Sequence, residues 1–391
     1  MYVRGSVPTI EALAIANRDD RLLGLPARMW LHRPFGRHAR SRVLIYGEPG
    51  AISRSQIEPF FYHAASFQDR FGAQFRCRPV ADFLHGRAGP EADIVLVQPW
   101  FTVSGEVIAR GFEMLRARLP NARFVFIDSY AHNDLRLGRF VDPYIDLYFK
   151  KSIFRNRGDY LLPQRGDTNL TAYYGKLYDI QMGAPVDWQV PESILPKLRL
   201  SPNFFTHARF VRAFQSSTMP PWEGRRIDVQ SRLGEKGSSW YAAMRKDAQR
   251  KLEAIPGLTL SQPGKLDIQA FMEELTHSRL CFSPFGYGEL CWRDIEAFQT
   301  GAVLIKPDMS HLVTLPDLYV PGITYLPVHW DFSDLYDVVR SALRDARRME
   351  AIAHEAYARI SQYIREGRFV DNMAEIWGLP ENCLPSDALA M

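Results

Sequence analysis

One stretch of this 391-residue chain gathers residues whose types and spacing could do chemistry together: SRLCFSPFGYGELCWRDIEAFQTGAVLIKPDMSHL, from Ser278 to Leu312. It reads as strand, glycine-rich loop, helix, glycine turn and strand. Pro284, Gly286 and Gly288 make a loop whose backbone can come close to a ligand, with Tyr287 between the glycines. The helix that follows aims its first N–H groups at whatever sits there, and an anion is the natural guest. Arg293 and Glu296 are three residues apart and share a helix face. A guanidinium suits a phosphate oxygen and a carboxylate suits neighbouring hydroxyls such as those of a ribose, so the pair outlines a nucleoside diphosphate. The same spacing also fits a plain glycine-rich connection carrying an exposed Arg–Glu pair.

A second cluster lies upstream, RRIDVQSRLGEKGSSWYAAMRKDAQRKL, from Arg225 to Leu252. After the strand Ile227–Gln230 the loop carries Arg232, Gly234, Lys236 and Gly237, and the next helix bears Arg245. Cations at a strand's carboxyl end, Arg232 and Lys236 here, can neutralise a departing diphosphate without a metal. Lys246, Arg250 and Lys251 read as a solvated helix face. In the first half, Asp128 directly follows the run FVFI, and His132 stands four residues on. Glu48 follows the run VLIY. Asp128, with Glu48 and His132 as rivals, is the group best placed to take a proton from a hydroxyl. The segment IDLYFKKSIFRNR carries Lys150, Lys151, Arg155 and Arg157 among aromatics. It reads either as a surface for an anionic glycan or lipid phosphate or as an edge strand with solvated lysines.

These residues need elements to hold them. Val43–Tyr46, Ile94–Gln98 and Phe124–Ile127 are short apolar runs without polar alternation, as expected of parallel strands covered on both faces. Between the last two, Val107, Ile108, Phe112, Leu115 and Leu119 have helical spacing. Prolines 185, 191, 196, 202, 220 and 221 then break the pattern and predict a junction. Alternation restarts with Ile227–Gln230, a helix over about 239–254, a strand at Leu258–Ser261 and a helix over about 268–276. A strand at Leu280–Ser283, a helix near 293–300 and a strand at Ala302–Ile305 follow, and the end of the chain from Phe332 to Trp377 is mostly helical. The expectation is an α/β fold of two Rossmann-like domains facing a cleft, with C-terminal helices packing back. The boundaries are 1–200 for the first domain, 201–365 for the second, and 366–391 for a tail crossing back to the first.

Composition excludes several classes. Hydrophobic residues are 46% and charged residues 24%, which rules out a disordered or fibrous chain. With 48 basic against 44 acidic residues the net charge is +4, too small to point to nucleic acid. No long apolar run and no secretory core at the N-terminus are visible, and the four cysteines lack CxxC spacing, so a cytoplasmic protein is expected. Neither GxxxxGK[ST] nor HExxH occurs, and the loop lacks the third glycine of a dinucleotide fingerprint. His277, Cys281 and Cys291 do not have zinc-site spacing.

The run from Lys265 to Ser278 and then SPFGYGELCWRDIEAFQTGAVLI resembles the donor-binding half of GT-B glycosyltransferases, in particular exostosin-like and group 1 bacterial families. The shared pattern is a strand ending in P-x-G-x-G, an R-x-x-E-A helix and a G-[CA]-V strand, over about thirty-five residues. The resemblance implies acceptor binding for the first domain and donor binding for the second, where Arg293 contacts the donor diphosphate and Glu296 the ribose. It also implies that the loop carrying Lys306, Asp308, Ser310 and His311 lies beside the base or donor sugar. It further implies a hexosyl- or deoxyhexosyltransferase of polysaccharide biosynthesis, with a nucleotide sugar as donor and a glycan or glycolipid as acceptor. No metal and no cofactor beyond the donor is expected, and peripheral attachment to the inner face of a membrane is left open. Retaining members place a second glutamate eight residues before the ribose-binding one. Here Gly288 holds that position and Glu289 follows it, so inversion is expected. A sugar-nucleotide epimerase or phosphorylase of the same layout, or a non-catalytic nucleotide- or glycan-binding module, are the rival readings.

Overall fold

The computed structural model of the protein describes residues 34–379, apart from residues 38, 88, 235, 236 and 263. The described part of the chain has as its first strands β1 (Ser41–Gly47), β2 (Ala73–Pro79), β3 (Ile94–Val97), β4 (Arg123–Ile127) and β5 (Leu147–Lys150). Next come β6 (Ser152–Phe154), the short antiparallel pair β7 (Gln164–Arg165) and β8 (Pro185–Val186), and β9 (Leu198–Leu200). Six of these form one parallel sheet, ordered β2-β1-β3-β4-β5-β9. Its central strands are buried on both faces, which is why they read as unbroken apolar runs. Each fully buried Val, Leu or Ile there contributes about 1.5–3 kcal/mol.

The helix Gly105–Arg118 connects β3 to β4. It starts at Ser104, whose side chain accepts from the Val107 N–H, and it buries Ile108, Phe112 and Leu115 against the sheet. From β1 the chain runs outward to β2 and then returns to the other side of β1 as β3. The order therefore reverses between β1 and β3, and at such a switch point the loops part to leave a crevice at the carboxyl ends of the strands.

The second sheet repeats the design with β10 (Ile227–Gln230), β11 (Ser278–Phe282) and β12 (Val303–Pro307). Beyond them β13 (Leu312–Thr314) leaves this sheet and β14 (Leu326–Val328) closes its edge, giving the parallel order β10-β11-β12-β14. The expected strand at Leu258–Ser261 is reduced to a single bridge, Leu260 with Val229. That bridge still lies on the far side of β10 from β11, so a second switch point falls between β10 and β11. The helix Trp292–Thr300 ends at Gly301 with φ 70°, a left-handed turn that sends the chain back into β12.

The halves are sewn together along one seam. β6 pairs antiparallel with β13, Tyr174 Oη donates to the Trp330 carbonyl, and Asn203 Nδ2 donates to the Leu315 carbonyl. The long helix Ala346–Arg365 packs on the helices Ala208–Ser216 and Trp292–Thr300. The chain then returns to the first sheet: Phe369 meets Phe60 edge-on at 5.9 Å, Trp377 stacks on Phe71 at 4.3 Å and donates from Nε1 to Ser41 Oγ. No helix among the described residues is long and apolar enough to cross a membrane.

Candidate functional site

The loops after β10 and β11, with the helices Ser239–Glu253, Ile268–Thr276 and Trp292–Thr300, surround a cavity of about 410 Å3. Arg245, Arg293 and Glu296 supply its charge, while Leu266, Ile268, Phe271 and Trp292 give it an apolar wall. The helix Trp292–Thr300 is fixed at its start by Asp294. That carboxylate accepts from the Cys291 N–H (3.1 Å), Ser283 Oγ (2.7 Å) and Tyr319 Oη (2.6 Å), and it pairs with Lys306 at 3.1 Å. Arg293 and Glu296 are thus presented from a rigid base.

Arg293 donates from Nη2 to the Arg232 carbonyl, which turns the guanidinium across the cavity. Its Nε is buried and has no hydrogen-bond partner among the described residues. Arg245 is buried and donates from Nε and Nη2 to the Phe285 carbonyl at 3.3 and 3.0 Å, and from Nη1 to the Gly234 carbonyl at 3.3 Å. Burial lowers its pKa. Glu296 is also buried, which pushes its carboxyl up, while the charges of Arg209 and Arg293 oppose that rise. Two cations and one carboxylate on a half-apolar cavity of this size can hold a diphosphate, a diol and a flat ring at once.

The sequence-predicted residues separate into those the fold brings to this cavity and those it does not. Arg293 and Glu296 are brought together. Arg232 is not available as a phosphate ligand. Its fork grips Glu274 at 2.7 and 2.5 Å and the Gly264 carbonyl at 2.6 Å, and it contributes to the cavity only through its own carbonyl. Lys306 is also corrected: it is fully buried, paired with Asp294, and lies 5.3 Å from the centre of the Phe285 ring. It anchors the helix and cannot touch a donor. Lys236 lies outside the described residues.

Gly286, Tyr287 and Gly288 sit beside the cavity, where the halves meet. Tyr287 stacks on Tyr241 at 4.7 Å and accepts from the Ser238 N–H. Gly288 passes so close to the first half that a Cβ would stand 1.9 Å from the Ala131 carbonyl oxygen, so no larger residue fits. Glu289, next in the chain, is buried. Burial pushes its carboxyl up, but hydrogen bonds and charge from His311 and Asn169 outweigh that and hold it below the usual range.

In the first half, Asp128 does not face the cleft as a base should. It is 1% exposed, and both oxygens are occupied: Oδ1 by the Tyr130 N–H at 2.8 Å, Oδ2 by Lys150 Nζ and Tyr148 Oη at 2.7 Å each. Lys150 and Lys151 are buried too, so the lysines of IDLYFKKSIFRNR are not solvated; Arg155 and Arg157 are exposed and bonded to backbone carbonyls, and Ser152–Phe154 forms the two-stranded pair with β13. His132 is half-buried beside Tyr287, its ring centre 6.3 Å away. Burial lowers its pKa, and its Nδ1 has no hydrogen-bond partner among the described residues. Glu48 lies at the β1/β3 switch point. It accepts from the Trp100 backbone N–H, and burial pushes its carboxyl up.

Arg245 belongs to a basic run that otherwise reads as a solvated face, and only its burial marks it out. Phe271 and Trp292 lie inside the run that carries the resemblance but were given no role there, and Arg209, Trp100 and Phe101 lie outside every motif.

No protein-family model matches the chain, and no curated protein matches it. Solved structures similar to it include a sucrose-phosphate synthase from Thermosynechococcus elongatus, at 11% identity and TM-score 0.47, covering 87% of this chain and 98% of that one. A glycosyltransferase from Rickettsia africae is 10% identical with TM-score 0.44, over 87% and 99% of the two chains. An α,α-trehalose-phosphate synthase from Burkholderia vietnamiensis is 10% identical with TM-score 0.40, over 87% and 100%. At these values each is a similarity and nothing more.

Proposed function

We propose that the protein is a GT-B-type glycosyltransferase that moves a sugar from a nucleoside diphosphate donor to an acceptor hydroxyl with inversion and without a catalytic metal. The observation that carries this is the cavity holding Arg245, Arg293 and Glu296, in which the buried Arg293 Nε–H has no hydrogen-bond partner among the described residues. A buried donor left unsatisfied costs about 1–3 kcal/mol, and a phosphate oxygen relieves that cost. In this reading Arg293 and Arg245 hold the diphosphate and stabilise the charge that develops as the anomeric C–O bond breaks. Glu296 accepts from the ribose hydroxyls, and the base stacks toward Trp292 and Phe271.

With Asp128 committed to Lys150, the proton of the attacking hydroxyl passes to Glu48. Its burial raises its basicity, which favours proton abstraction as long as the carboxyl is ionised.

Incubation with labelled nucleotide sugars in EDTA tests the reading. Transfer to an acceptor with inverted anomeric configuration supports it. Epimerised sugar, or tight binding without turnover, overturns it.

A further inference from the structure

The loops at the first switch point carry an aromatic ledge that the donor cavity does not use. Trp100 and Phe101 follow β3, with ring centres 4.6 Å apart, and Phe101 is 43% exposed despite being one of the larger apolar side chains. Tyr130 follows β4. It meets Phe101 at 5.8 Å and 62°, and its Oη donates to the Phe101 carbonyl at 2.6 Å, which fixes the two loops to each other. Ser129 Oγ does the same to the Pro99 carbonyl at 2.7 Å. Beneath the ledge the Trp100 backbone N–H donates to Glu48, so a half-buried carboxylate shares one crevice with the exposed Phe101 ring and the partly exposed rings of Trp100 and Tyr130, the latter carrying the Arg136 guanidinium 4.5 Å from its centre.

The charges around this crevice are accounted for. On the described loops after β1, β3, β4 and β5, and the one-turn helices Ala51–Arg54 and Gly138–Val141 that continue them, the cationic side chains are Arg54, Arg136, Arg139 and Lys151, with Lys150 at the end of β5, and Arg139 donates to Gln189 Oε1 at 2.8 Å. Arg54 pairs with Glu58 at 2.9 Å, and Arg136 with Asp134 at 2.7 Å and Asp167 at 3.3 Å. Lys150 pairs with Asp128, and Lys151 donates to the Ser129 carbonyl at 3.0 Å. Burial lowers the pKa of His132, on the loop after β4. Among these described residues a phosphorylated or carboxylated ligand would find each cation already partnered, and it would face Glu48. An uncharged ring with an apolar face and hydroxyl edges finds aromatic faces to lie on and a carboxylate to receive a hydroxyl.

We infer that Trp100, Phe101 and Tyr130 form the acceptor subsite and select a neutral saccharide ring, excluding sugar phosphates and anionic lipid headgroups. The inference rests on the glycosyltransferase reading for its reaction, but the binding it describes does not depend on the donor.

Saturation-transfer NMR on the whole protein with methyl glycosides and with glucose 6-phosphate tests it directly. Neutral glycosides should receive saturation on one ring face. Phe101→Ala should abolish it, Phe101→Tyr should restore it, and glucose 6-phosphate should receive none. Phe101 is exposed, so its removal leaves the fold intact, and unchanged nucleotide affinity in Phe101→Ala confirms that the donor half is undisturbed. Equal saturation in wild type and Phe101→Ala, or preferential binding of the phosphate, overturns the inference. Loss of nucleotide binding by the wild type would instead strike the donor reading alone.

Discussion

Arg209 Nη2 stands 3.8 Å from Glu296 Oε1, so a residue of the helix that joins the two sheets places its charge on the carboxylate of the cavity. The distance exceeds a hydrogen bond, which leaves the oxygen free to accept from a ligand. Burial raises the Glu296 pKa and Arg209 opposes the rise, so removing Arg209 raises it further. A carboxylate that binds hydroxyls only when ionised loses that binding as pH falls through its pKa. Arg209→Gln should therefore move the acid limb of ribonucleotide affinity to higher pH, with affinity at alkaline pH little changed. Calorimetric titration across the acid range checks this, and superimposable pH profiles contradict it.

Asp128 should behave as a structural residue. Asp128→Asn leaves Lys150 buried without its counter-charge, and breaking a buried pair costs about 3–5 kcal/mol. Thermal unfolding should show that loss, kcat per folded molecule should stay near wild type, and Asp128→Asn combined with Lys150→Met should recover much of the stability. A large fall in kcat with an unchanged melting temperature would return Asp128 to the role of base.

Glu48→Gln should lower kcat by about 10²–10⁴-fold with donor affinity unchanged, the range for removal of a general base. The ionised base is needed, so the acid limb of the wild-type kcat profile should reflect its raised pKa. Steady-state kinetics against pH gives both quantities.

Lys151 gives a pH dependence of stability with a definite sign. Burial brings its pKa down to about 8 from an ordinary 10.5. Between those values the unfolded chain binds the proton that the folded chain has released, so stability rises with pH through that window. Below about 8 both states are protonated and the cost of burying the charge is fully present. The window is worth about 3 kcal/mol, and Lys151→Met should flatten it in urea titrations at a series of pH values.

The sequence made β1, β3 and β4 legible because both their faces are covered, and the helix Ile268–Thr276 legible because its period is clean. It concealed β2, whose Arg76 and Arg78 give an edge strand the look of a loop. It misrepresented β5, because lysines read as solvated until Asp128, twenty-two residues away in the chain, is brought beside Lys150. The cavity shows the same division. Arg293 and Glu296 share a helix face and could be paired by spacing. Arg245 and Phe271 reach them from other helices, and Arg232 was drawn off by Glu274, a partner 42 residues away. Local period is written in the sequence, whereas the partner of a charge is decided by the fold.

The central claim is that the cavity of Arg245, Arg293 and Glu296 binds a nucleoside diphosphate with Glu296 on the ribose. Calorimetric titration of UDP, GDP, ADP and CDP, and of the 2′,3′-dideoxy form of the tightest, into wild type and Glu296→Ala tests it most directly. At least one diphosphate should bind the wild type. Glu296→Ala should weaken the ribonucleotide by about tenfold or more, the loss of a charge-assisted hydrogen bond, and leave the dideoxy form unchanged. No binding of any diphosphate, or an equal affinity of both proteins for the ribonucleotide, would contradict it.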